Sequence, residues 1–164
     1  MLTKLHSSLR SLAGKVACIK VQTEDFDLSY ENAAIKGGRN DIGAIVTFTG
    51  TVRDMDGTLK SMTLEHYPGM TERELTRIAT EAEARWPLTG CTVIHRVGML
   101  DPGDNIVLVV TASAHRQAAF QAAEFLMDFL KSRAPFWKKE DVGGVSKWVD
   151  AKESDTEALK RWEK

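Results

Sequence analysis

Apolar and polar residues repeat along this chain with two different periods, and the switches between them mark out its elements. From Ala44 to Arg53 the period is two. Ala44, Val46, Phe48 and Val52 fall on one face and Thr47, Thr49, Thr51 and Arg53 on the other, which predicts a half-buried strand. Gly50 inside that run predicts a bulge or a close backbone approach. Asp54 to Gly57 is turn chemistry, and Leu59 to Tyr67 resumes an extended pattern, so the two runs predict a hairpin. Lys15 to Thr23 and Cys91 to Val97 read as further strands, with Lys147 to Asp150 a short one. Asn105 to Ser113 is almost continuously apolar, as a strand buried on both faces is.

The helical period appears in between. Asp27 to Lys36 predicts a short helix ended by Gly37-Gly38. Thr71-Glu72-Arg73-Glu74 has capping-box spacing and opens a helix with Leu75, Ile78, Ala79, Ala82 and Trp86 on one stripe, stopped by Pro87. A longer helix is predicted over Gln117 to Ser132, with Phe120, Ala123, Met127 and Leu130 on one face and Pro135 beyond its end. Ser154-Asp155-Thr156-Glu157 repeats the capping-box spacing before a short C-terminal helix. Helices and strands mix without a regular βαβ repeat, which argues α+β, with helices packed on a largely antiparallel sheet. Val46, Phe48, Leu75, Ile78, Val107, Val109, Phe120 and Met127 are expected in one core.

At 164 residues the chain fits one domain, taken as residues 15–164 after a flexible extension over 1–14. That extension is basic, contains serine and lacks acids. It loosely resembles an organelle transit peptide, and a frayed terminus is the favoured reading. No apolar run reaches membrane-spanning length. Cys18 and Cys91 make no CxxC pair and no disulfide framework, so both read as small hydrophobes in a reducing, cytoplasmic compartment. A net charge of -1 excludes whole-molecule attraction to nucleic acid or membrane, so any anion site must be local.

No Walker loop, nucleophile elbow, zincin motif or dinucleotide fingerprint is present. Two cationic segments remain. Ser113-Ala114-His115-Arg116 lies where the buried strand gives way to a helix. There, free backbone N–H groups and the helix dipole favour an anion, although a simple helix cap accounts for it equally well. Lys131-Ser132-Arg133-Ala134-Pro135-Phe136-Trp137-Lys138-Lys139 sets four cations around an aromatic pair. Either these cations answer the dipole at the helix C-terminus, or the aromatics wall a charged pocket. Arg53 is a turn-flanking surface charge or a third anion contact. His66, His95, His115 and Cys91 have no metal-ligand spacing, and no metal is expected.

These segments closely resemble the large subunits of molybdopterin synthases. The matching residues are Val46-Thr47-Phe48-Thr49-Gly50 with Val52-Arg53, then Leu64 to Thr71, Val93 to Gly98, Ser113 to Arg116, Lys131 to Lys138, Trp148-Val149 and Glu153-Ser154-Asp155. They run in order from about Ala44 to Trp162. The pairing of Ser-Ala-His-Arg with Lys-x-Arg-Ala-Pro-Phe-Trp-Lys is highly specific.

The resemblance implies an α/β-hammerhead type of α+β domain and a homodimer that forms the core of a heterotetramer. A small ubiquitin-like sulfur-carrier subunit docks at each end, with its C-terminal thiocarboxylate inserted into the large subunit's pocket. The implied substrate is cyclic pyranopterin monophosphate, the product is the dithiolene molybdopterin, and no resident cofactor is needed. Lys131 and Lys138 match the family's catalytic lysines. Thr51, Val52, Arg53, His115, Arg116, Lys139 and Glu140 join them as implied substrate-binding residues. Many relatives carry a lysine where this chain has Thr51, so a cation is missing at the pocket edge. The stretch Glu140 to Lys147, with Gly143-Gly144, is expected as a mobile loop over the site. Two other readings remain: a silent module that binds a ubiquitin-like carrier or a phosphometabolite, and a dimerisation scaffold built on Trp148 and Trp162.

Overall fold

The computed structural model describes residues 17–163. The expected N-terminal extension lies outside the described residues. Element order is β1 (Cys18–Gln22), α1 (Leu28–Lys36), β2 (Ala44–Thr51), β3 (Leu59–His66), α2 (Met70–Arg85), β4 (Leu88–Arg96), β5 (Gly98–Leu100), β6 (Asn105–Ser113), α3 (Arg116–Ser132), β7 (Phe136–Val142), β8 (Val145–Val149) and α4 (Glu153–Leu159), closed by a 3₁₀ turn at Lys160–Trp162. The strands form two four-stranded sheets, ordered β1-β4-β6-β2 and β5-β3-β7-β8. Among the described residues only the β1–β4 pairing is parallel. The fold is α+β, as the mixed patterning implies. Among the described residues no helix is long and apolar enough to cross a membrane.

The first sheet is enclosed. Ile78, Ala79 and Ala82 of α2, Ala122, Phe125, Leu126 and Phe129 of α3, and Leu159 of α4 pack on one face, against Val93, Val107 and Val109. Phe26 and Ile35 cover Ile94, Leu108 and Val110 on the other. The alternating residues of β6 therefore enter two different cores, and this explains why its sequence is apolar at nearly every position. Buried polar groups on this sheet are answered locally: Thr111 Oγ1 donates to Ala119 O at 2.7 Å and Ser113 Oγ to Pro87 O at 2.9 Å. A smaller core of Val52, Met62, Leu64 and Leu100 joins the second sheet to the end of the first.

Several sequence expectations need correction. The runs Ala44–Arg53 and Leu59–Tyr67 are both extended but form no hairpin; they belong to different sheets. The register of β2 slips at Gly50/Thr51, and the chain beyond is captured by another turn: Val52 N donates to Asp104 O and Gly103 N to Val52 O, both at 2.8 Å. Gly50 marks both a bulge and a close approach, since a Cβ there would meet Val107 Cγ1 at 2.8 Å.

Helix α2 starts before the expected box. Its N-cap is Gly69, at φ 82°, and the Glu72 carboxylate accepts from Gly69 N at 2.6 Å. Thr71 is instead fully buried and reaches Pro135 O at 3.4 Å, tying α2 to the turn before β7. In α4, Lys152 is the N-cap and Ser154 makes no capping bond.

Glu140 to Lys147 is no loose loop. It is the β7–β8 hairpin, turned by Gly143 and Gly144 at φ 62° and 85°, a pair of positive values that suits the right-handed twist of the flanking strands. Phe48 and Phe120 are also not core residues, at 39% and 62% exposure. Helix α3 meets the sheet through Ala118, Ala119, Ala122 and Ala123 with Phe125 and Phe129, and Phe120 falls outside that stripe.

Candidate active site

A cleft of about 610 Å³ opens where the end of β2, strands β3 and β7, the last turns of α3 and the segment after β8 come together. Each functional side chain arrives there for a local reason. The bulge at Gly50/Thr51 swings the end of β2 out of its ladder and brings Thr51 and Arg53 to the rim. Helix α3 ends with Arg133 N and Ala134 N both donating to Phe129 O, and Pro135 stops further winding. Lys131, in its last turn, therefore stands on a fixed backbone at the cleft edge. After Pro135 the chain becomes β7, whose period of two divides the remaining cluster. Phe136, Lys138 and Glu140 face the cleft, beside Leu64 and Met62 on the neighbouring strand.

The same period sends Trp137 and Lys139 the other way. Trp137 meets Tyr67 edge-on at 4.8 Å, and Lys139 lies 5.4 Å from the Trp148 ring centre. Of the aromatic pair expected as walls, only Phe136 lines the cleft, and Lys139 is absent from its lining. Lys131 is exposed rather than sealed behind aromatics. Val52 points into the small core at 3% exposure and contributes only its backbone turn.

The cations are not equivalent. Lys138 pairs with Glu140 at 3.6 Å. Arg53 and Lys131 have no ion-pair partner among the described residues. An open cleft with two unpaired cations on its lining is prepared for an anion.

His115 and Arg116 are not part of this cluster within one chain. His115 is the N-cap of α3 and Arg116 its first residue, both exposed, while Lys131 lies at the other end. Sixteen residues of helix separate His115 from Lys131 by about 24 Å. The expected convergence of Arg53, His115 and Arg116 does not occur inside a single chain.

Residues to which the sequence assigned no role in the site complete the lining: His95, Met127, Leu130 and the stretch Val149 to Lys152 with Asp155. His95 is 7% exposed and stacks on Phe136 with ring centres 3.8 Å apart and planes at 15°. Burial, with Lys131 and His66 nearby, pushes its pKa down to about 4 despite a bond between Nδ1 and Arg96 O. Its place on a strand looked ordinary in the sequence. Only the packing of β4 behind β7 brings it to the cleft.

Comparison with known proteins gives a consistent picture. The family model described as MoaE protein matches residues 21–133. A molybdopterin synthase catalytic subunit from Mesorhizobium japonicum is 62% identical over 146 residues, 88% of this chain and 92% of its own length. Among solved structures, the molybdopterin biosynthesis MoaE protein of Burkholderia ambifaria superposes with a TM-score of 0.78 at 51% identity, covering 90% of this chain and 98% of that one. A molybdopterin synthase from Staphylococcus aureus gives 0.72 at 30% identity, over 80% and 96%.

Proposed function

The chain belongs to the MoaE family, and from that premise we propose that it is the catalytic subunit of a molybdopterin synthase. In this reading it is a sulfurtransferase that converts cyclic pyranopterin monophosphate to molybdopterin. Sulfur comes from the C-terminal thiocarboxylate of a small ubiquitin-like carrier subunit. The observation that carries the reading is the meeting of Arg53, Lys131 and Lys138, from three separate segments, on one cleft. Substrate phosphate and carrier thiocarboxylate are both anions, and this cleft offers cations to both. Arg53 suits the phosphate by its planar fork. Lys131 steers the thiocarboxylate, stabilises charge developing at its acyl carbon and moves protons during sulfur addition. Lys138, held by Glu140, supports that field. A cytoplasmic location belongs to the same reading, and free thiols at Cys18 and Cys91 agree with it.

His115 and Arg116 enter through a second copy of the chain. Two copies pair so that this end of α3 in one faces the cleft of the other, giving a dimer that carries a carrier subunit at each end. The support is geometric: one chain holds the two cationic ends of α3 apart, yet both answer the same substrate class.

Incubation with a thiocarboxylated carrier and the pterin precursor is expected to yield dithiolene product. Docking of a loaded carrier without product would make the chain a silent binding module. The shared site has its own test. Arg116→Ala and Lys131→Ala variants, each inactive alone, are expected to regain about a quarter of wild-type activity when co-expressed, because half the dimers are mixed and each of those has one intact site. No recovery places both groups' work within one chain and removes the shared site.

A further inference from the structure

His95 is the one cleft-lining side chain that is more than nine-tenths buried and still carries a ring nitrogen without a protein partner among the described residues. Its Nδ1 lies 2.8 Å from Arg96 O. A carbonyl only accepts, so Nδ1 carries the hydrogen and Nε2 is left as a bare acceptor. Three constraints then fix where that acceptor sits. β4 is a central strand, with His95 opposite Val21 on one side and Val107 on the other. The ring is stacked on Phe136. The Nδ1 bond sets its rotation. Nε2 is not among the sealed, unpartnered atoms of the interior, and the open space His95 borders is the cleft.

We propose that His95 is a substrate-binding residue, whose neutral Nε2 accepts a hydrogen bond from an N–H group of the pterin ring system. The inference rests on the substrate reading above and adds a contact to it. The cleft's cations can only donate, and Glu140 is engaged by Lys138. A pterin carries amino, lactam and reduced-ring N–H donors besides its acceptors; Asp150 and Asp155 line the cleft from the segment after β8, and His95 is the neutral acceptor fixed in its buried wall. A carboxylate in this place would pair with Lys131 and remove the charge that the anionic groups need. An imidazole kept neutral by burial does not. That same low basicity makes His95 a fixed acceptor at neutral pH rather than a proton-abstracting base.

Three substitutions separate this role from a packing role. His95→Phe keeps a ring on Phe136 and loses the acceptor. His95→Asn keeps a donor for Arg96 O and has no oxygen at the Nε2 depth. His95→Gln places an amide oxygen near Nε2. Binding of cyclic pyranopterin monophosphate is measured by anaerobic titration calorimetry on the full chain with its carrier, beside thermal melts and steady-state kinetics. His95→Phe and His95→Asn are expected to weaken binding and raise KM by roughly ten- to a hundredfold with kcat little changed, as happens when a site's polar partner is withdrawn. His95→Gln is expected to recover most of the affinity. If His95→Phe does not fold, the Gln and Asn pair still decides. Equal affinity in all variants, losses that merely follow the melts, or a loss confined to kcat overturns the proposal. If wild-type chain neither binds nor converts the pterin, the substrate reading itself has failed and His95 falls with it. Failure confined to the variants leaves that reading standing.

Discussion

The two sheets have equal numbers of strands and differ in what covers them. In the β1-β4-β6-β2 sheet both faces are enclosed: Val93, Val107 and Val109 lie under three helices, and Ile94, Leu108 and Val110 under α1 and its flanks. In the β5-β3-β7-β8 sheet one face holds Met62 and Leu64 inward, while the other shows Met99, Trp137 and Trp148 to solvent at 73%, 42% and 56% exposure. All of the strand-borne cleft cations and their carboxylate partner come from the second sheet or from the bulged end of β2 that turns away from the first. The contrast follows from desolvation. A charge enclosed on both sides costs several kcal/mol unless it is paired, and the unpaired Arg53 and Lys131 accordingly stand exposed at the rim of the cleft. The enclosed sheet carries most of the stability, and the chemistry gathers where its β2 and β4, the end of α3 and the inward face of β7 meet at the cleft.

That division is testable at several strengths. Phe125→Ala, at the centre of the enclosed side with 0% exposure, is expected to cost about 3–5 kcal/mol in urea unfolding. A loss under ~1 kcal/mol would break the comparison. Lys131→Ala is expected to leave unfolding unchanged and lower single-turnover sulfur transfer by roughly two to three decades, the effect of removing a preorganised stabilising group. Lys131→Arg should recover little if proton transfer is needed, because arginine stays protonated. Near wild-type transfer by the alanine variant with a docked carrier removes the catalytic assignment.

A third prediction concerns pH. Burial holds His95 at about 4 in the folded chain against 6.5 when free, so between these values the unfolded chain binds a proton that the folded one refuses. The stability from a neutral His95 is complete above pH 6.5 and drains as pH falls towards 4, by up to roughly 3 kcal/mol. A urea series from pH 7 to 4 should show a shallower decline for His95→Gln than for wild type. Parallel curves would show that His95 is not the group responsible. The smallest effect belongs to Trp148→Ala on the open face. The Lys139 ammonium lies 5.4 Å from the centre of this half-exposed ring, and the expected change is within about 0.5 kcal/mol. A large loss there would mean that this face is covered in the assembled protein.

Much of this architecture was legible along the chain. Strand β6, helices α1 and α3, and the stripe of α2 appeared within a residue or two, because each is set by a local period and a local stop signal: Gly37, Pro87 and Pro135 end their helices where expected. The supposed hairpin failed because a turn sequence shows that the chain reverses, not which strand it then pairs with. Strand β7 was missed because Phe136 to Val142 carries four charges in seven residues and reads as surface. Its alternation gains meaning only once β3 lies beside it. The site was legible as residue types and unreadable as geometry. Lys131, Lys138 and Arg53 do share a cleft, Lys139 and Trp137 are turned away by the pleat, and His95, weighed in the sequence only as a metal ligand and set aside, lines the cleft.

What the sequence by itself determined is most of the elements, the family to which those elements and motifs belong, and the cationic residues available for work. Those follow from periods of two and 3.6 and from side-chain chemistry, which are properties of neighbours along the chain. Only the tertiary structure decided which strands share a sheet, which face of β7 meets the cleft, and that the two cationic ends of α3 stay apart in one chain. These are contacts between residues tens of positions apart, such as Thr71 with Pro135 and Val52 with Asp104. They are chosen by how the enclosed cores pack, since no local pattern specifies the partner that a backbone edge or a helix end will find.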